Sequence, residues 1–125
     1  MQAPADGGKL GRPADPVGEL ACSRLVVEGT VVKVEPRGES GGSRVTVTVG
    51  RAYKPAHAPV RVSFLLDGSQ PAPHTGQPVL VRVARDRQNA DLWAVGEAPV
   101  KAARAWLTEA LPDSRHATCP AAGRR

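Results

Sequence analysis

The residue types in this chain that could do chemistry are two cysteines, three histidines, a few serines near an aspartate, and a scatter of arginines. Cys22 stands ahead of the first β-rich run and Cys119 near the chain's end, so between them they bracket almost everything that can fold. One reading makes them the ends of a clasp. Closing a loop of about 100 residues stabilises by roughly 4 to 5 kcal/mol in the chain-entropy picture, less any strain in the folded state. The other reading is two unrelated buried thiols in a reducing compartment. The clasp is the expectation taken forward, and it implies an extracytoplasmic or secreted location. Catalytic thiol chemistry has no support, because the pair lacks Cys-x-x-Cys spacing and neither residue sits in a basic cluster that would stabilise a thiolate.

His57, His74 and His116 are far apart, each in a Pro-rich or polar stretch. A zinc site needs three or four converging ligands, usually with one pair at short spacing, so no metal and no cofactor is expected. Ser63, Asp67, Ser69 and His74 are close in sequence, but no glycine pattern of a nucleophile elbow surrounds either serine. No catalytic residue is assigned, and the chain is read as non-enzymatic. The glycines between Gly38 and Ser43 lack the lysine and following helix of a phosphate-binding loop and read as a hairpin turn.

The formal charge of +5 and pI near 9.9 raise nucleic-acid binding, which needs a clustered cationic face. Position argues for a dispersed surface instead. The basic residues alternate with Glu28, Glu35, Glu39, Asp67, Asp86 and Asp91, as in a solvated surface from a GC-rich, Arg-preferring genome. Arg44, Arg51, Arg61 and Arg82 form the best candidate face for the alternative, a cytosolic single-stranded nucleic-acid binder. The aromatic residues of the strands concerned, Tyr53 and Phe64, have core parity and are expected to pack rather than stack on bases.

The elements that must position these groups are mostly strands. The apolar residues are largely Val, Ala and Leu, and twelve prolines and thirteen glycines keep elements short. Leu25 to Val34 reads as a long first strand whose alternation changes phase near Gly29, where a bulge would absorb the shift. A second strand spans Val45 to Lys54, with Val45, Val47, Val49 and Tyr53 on one face. Val60 to Leu66 is a third, Pro78 to Arg85 a fourth, and Asp91 to Gly96 a fifth. Beyond Pro99 the period becomes helical, with Val100, Ala103, Leu107 and Leu111 on one face, Trp106 beside it, and a stop at Pro112. Trp93 and Trp106 are expected to join helix to sheet. No run is long and apolar enough for a membrane span or signal peptide. The expected organisation is a linker or tail over 1–21, an all-β, five-stranded OB-like barrel with one C-terminal helix over 22–120, and a disordered tail over 121–125.

Three pieces carry a family likeness: Val26-Val27-Glu28-Gly29-Thr30-Val31-Val32, the strand ending Ala52-Tyr53-Lys54, and Gly76-Gln77-Pro78-Val79-Leu80-Val81. Over about residues 22–96 the chain resembles the netrin-like superfamily, which includes the tissue inhibitors of metalloproteinases and small bacterial exported proteins. The resemblance implies an OB-type scaffold in an exported protein. Metalloproteinase inhibition does not carry over, because Cys22 has a chain ahead of it and is followed by Ser23-Arg24 instead of the x-Cys of the inhibitory motif. The expected function is therefore a binding domain for another protein or a cell-envelope component. Its surface is expected at the loops Pro36 to Ser43 and Asp67 to Gln77.

Overall fold

The structure, a computed structural model, describes residues 13–38 and 41–119. The expected tail over 121–125 and most of the expected N-terminal linker lie outside the described residues. A helix α1 (Pro16–Ala21) is followed by β1 (Ser23–Pro36), β2 (Ser43–Lys54), β3 (Arg61–Leu66), β4 (Pro78–Ala84), β5 (Ala90–Val95) and the long helix α2 (Glu97–Ser114). The strands form one antiparallel sheet in the order β3-β2-β1-β4-β5. Among the described residues its two edges meet at one parallel bridge, from Leu65 of β3 to Asn89 just ahead of β5, with no continuous ladder between them.

The sheet buries two layers, which explains the ambiguous phase of β1. On the inner face, Val27, Val31, Val45, Val47, Phe64, Leu66, Val79, Val81, Val83 and Leu92 form one cluster drawn from all five strands. On the outer face of β1, β4 and β5, Val26, Leu80 and Trp93 form a second cluster with Leu20 of α1 and Val100, Ala103, Trp106, Leu107 and Ala110 of α2. Strands covered on both faces read as continuous apolar runs rather than alternating ones. Val26 and Val27 are thus neighbours in sequence with opposite cores.

The predicted irregularity at Gly29 is present. The pairing of β1 with β2 shifts register between Glu28 and Gly29, and again between Val31 and Lys33, where Val32 is left exposed. A side chain on Gly29 would run into the Thr48 carbonyl, so only glycine lets β2 approach this closely. A further shift between Val26 and Val27 passes over Tyr53. These shifts turn Tyr53 to the outer face, into the helix-side cluster, rather than onto the inner face with Val45 and Val47 as strict alternation predicts.

Other elements differ from expectation in detail. The segment read as linker holds α1: Asp15 accepts a bond from the Gly18 amide, Pro16 occupies the first helical position, and Leu20 is completely buried. Val60 precedes β3 and is 74% exposed, so it belongs to the turn. Helix α2 does not stop at Pro112 but carries it in its last turn. There the missing N–H costs one bond to Thr108, and Ser114 Oγ donates to the Leu111 carbonyl. The tryptophans do what the sequence implies. Trp93 of β5 and Trp106 of α2 meet with ring centroids 5.3 Å apart and planes tilted by 53°, a geometry worth about 0.5 to 1.5 kcal/mol beyond burial.

Candidate functional site

Two polar clusters hold the helices on the sheet. Glu28, brought to the outer face beside the β1 irregularity, accepts from Tyr53 Oη at 2.8 Å and from Arg104 Nε and Nη2 of α2 at 3.0 and 2.6 Å, with Arg51 at 4.0 Å. Burial works to raise the Glu28 pKa, but the bonds from Arg104 and Tyr53 and the two guanidinium charges outweigh it and hold the carboxyl below its ordinary value. Burial and the bond to Glu28 push the Tyr53 phenol well up. The second cluster centres on Arg82, whose side chain is only 11% exposed. It donates to Ser23 Oγ, Asp91 and the Glu19 carbonyl, pairs with the Glu19 carboxylate at 3.1 Å, and lies over Trp93. Lys54 Nζ donates to the carbonyls of Leu20 and Ala21 at the end of α1, and burial, with Arg85 nearby, lowers its pKa. The donors and acceptors of these clusters are taken up in joining α1 and α2 to the strands.

Cys22, which caps α1, is bonded to Cys119 across 97 residues, with Cα atoms 4.9 Å apart. The bond fastens the start of the fold to the segment after α2.

The candidate nucleic-acid residues divide. Arg44 and Arg61 share the uncovered outer face of β2 and β3 with Thr46 and Ser63, whose hydroxyls are 2.9 Å apart. Arg51 is exposed but lies at the edge of the Glu28 cluster. Arg82 is on the helix-covered side and enclosed by its partners. Tyr53 and Phe64 are both buried, Phe64 in the inner core as its parity implies and Tyr53 in the helix-side cluster, against its parity.

The two loops read as a binding surface do come together. Within the first, Gly41 and Gly42 pack on Leu66, the last residue of β3, and on Gly68 of the second. A Cβ on Gly68 would sit 3.0 Å from the Gly41 carbonyl, and one on Gly42 would strike that of Leu66. Asp67 turns the second loop by accepting from the Ser69 amide at 2.9 Å and from the Ser69 hydroxyl, and these bonds lower its pKa. Gln70 then reaches the free edge of β5, donating to the Ala90 carbonyl at 2.9 Å and accepting from the Leu92 amide at 3.2 Å. One side-chain amide there occupies backbone groups that a neighbouring strand would otherwise take. A depression of about 340 Å³ opens between this loop and the β4–β5 turn, lined by Asp67, Gln70 and residues 87–91.

The other sequence candidates stay apart. His57, His74 and His116 are exposed on separate segments, and among the described residues no three metal-ligating side chains converge. Ser69 bonds Asp67, whereas only the backbone of His74 is engaged, by Gln77. Sequence reasoning missed Glu28, Arg104 and Gln70. The partners of Glu28 follow from register shifts that alternation hides, and Gln70 carries no local signal. The Asp15-Pro16 pair was a readable start signal for α1.

No known family profile matches the chain, and no curated protein is significantly similar to it.

Proposed function

We propose that this chain is a non-enzymatic, extracytoplasmic binding domain of OB-type, netrin-like architecture, whose partner is another protein or a cell-envelope component. The observation that carries the reading is the Cys22–Cys119 bond, since a disulfide joining both ends of a fold persists only where thiols are not kept reduced. The architecture is supported by a five-stranded antiparallel sheet wrapped round one core with its edges in contact, as a partly open barrel requires. The rim of converging loops supports binding: it lies at one end of a scaffold held rigid elsewhere, an arrangement typical of recognition surfaces.

Mass spectrometry of unreduced protein from its native host, with free thiols blocked at lysis, tests the reading. A linked Cys22–Cys119 peptide is expected, and two blocked thiols would remove the extracytoplasmic assignment. The second reading, single-stranded nucleic-acid binding, is favoured by the exposure of Arg44 and Arg61 on one face. It predicts oligonucleotide binding that weakens steeply with salt, and absence of binding at low ionic strength eliminates it.

A further inference from the structure

The outer edge of β3 has a backbone with unused pairing capacity and cations that, among the described residues, have no acidic partner. The pairing of β2 with β3 has no register shift, and the Val49 amide donates to the Val60 carbonyl at 2.7 Å. Antiparallel alternation then turns the amides and carbonyls of Val62, Phe64 and Leu66 toward β2, and those of Arg61, Ser63 and Leu65 away from it. Leu65 forms the bridge to Asn89, so Arg61 and Ser63 are left facing outward.

Along this edge runs a groove of about 340 Å³ lined by Arg24, Arg44, Ser63, Phe64, Leu65 and Gln88. It adjoins the rim depression, with Gln88 lining both. Among the described residues Arg44 and Arg61 form no ion pair, and Arg24 donates to the Arg87 carbonyl, at 3.2 and 3.1 Å.

We infer that the β3 edge and its groove accept an extended, acidic peptide segment of a partner protein, which adds as a strand beside Arg61–Ser63 with carboxylates toward Arg24, Arg44 and Arg61. This inference rests on the binding-domain reading and names the class of partner. Strand addition supplies affinity through main-chain bonds, and alternate side chains supply selectivity. The occupant is a peptide rather than a single-stranded nucleic acid because Phe64, the aromatic residue at this groove among the described residues, is buried in the inner core and offers no open ring to a base, while the edge presents main-chain donors and acceptors. It is not a second copy of this chain. Antiparallel pairing about Ser63 would bring Arg61 of one copy beside Leu65 and Arg44 of the other, and like charges on an edge oppose such pairing.

The test is an NMR titration of the oxidised chain with a capped Glu-Val-Glu-Val-Glu-Val peptide at up to millimolar concentration. Its controls are the same peptide N-methylated at alternate residues, a Lys-Val counterpart, and an oligothymidylate. The expected result is salt-sensitive shifts at the amides of Arg61 and Ser63. Affinity should fall at least tenfold for the methylated and lysine peptides, for the double variant R44E/R61E, and for Ser63→Pro, which removes an outward amide without touching the β2 ladder. The methylated peptide keeps the test decisive if Ser63→Pro fails to fold. Absence of shifts, equal binding of the methylated peptide, or tighter binding of the oligothymidylate would overturn the inference. Shifts confined to 67–77 and the β4–β5 turn would overturn the edge site while leaving the binding-domain reading intact.

Discussion

Replacing both cysteines, Cys22→Ser with Cys119→Ser, removes a crosslink that encloses a 97-residue separation. The loop-entropy relation gives about 4.7 kcal/mol for a loop of this length at 25 °C, an upper figure because folded-state strain subtracts from it. The folded state should change little. The Cys22 carbonyl still accepts from the Arg85 amide at 2.9 Å, Lys54 still holds the end of α1, and Leu20 remains in the helix-side cluster. The loss should therefore arise chiefly in the unfolded chain. At a urea dependence of about 1 to 3 kcal/mol per molar, the midpoint should fall by about 1.5 to 5 M, with NMR shifts of the folded protein changed only near residues 22 and 119. Chemical reduction of the native protein should reproduce the effect. A loss below about 1 kcal/mol, or dispersed shift changes reaching the sheet, would refute the reasoning.

Further expectations concern the two polar clusters, the helix interface and the rim. Because the Glu28 carboxyl is held below its ordinary value of 4.5, its contribution to stability is present above that pH and is lost as pH falls through the lowered value; Glu28→Gln should flatten this acid limb in pH-dependent unfolding. Tyr53 is raised above 10.0, so its contribution is complete below pH 10 and lost as pH climbs further. Tyr53→Phe should remove that alkaline limb and cost about 1 kcal/mol at neutral pH, read by urea titration. Leu107→Ala, at a fully buried position between α2 and the sheet, should cost about 2 to 5 kcal/mol in the same assay. Gln70→Ala should leave the global midpoint nearly unchanged but speed hydrogen exchange at the Leu92 amide, which loses its acceptor.

Much of the fold is legible because local rules act alone there. The alternation of Val45 and Val47 with Thr46 and Thr48, the turn-rich stretch after Leu66, and the helical period from Val100 to Leu111 each decide an element without reference to the rest. The placement of Tyr53 was not legible, because the register shifts that turn it outward depend on how β1 and β2 pair across more than twenty residues. For the same reason the Glu28–Arg104 link, spanning 76 positions, leaves no trace in the sequence. Among the arginines, composition could not separate Arg82, enclosed between Glu19 and Asp91, from Arg44 and Arg61 on the open face; only the positions of α1 and β5 do so. The convergence of the two loops was anticipated only as a shared role. Glycine packing at 41, 42 and 68 makes it a physical contact.

The central claim is that the loop rim and adjoining β3 edge, rather than the helix-covered side, are where this domain meets its partner. Photo-crosslinking in the native host, with a benzophenone amino acid placed at Ser69 on the rim or at exposed Ala105 on α2, addresses it directly. The account predicts a discrete cross-linked product from Ser69 and none from Ala105. A product from Ala105 alone, or the same product from both positions, would contradict it.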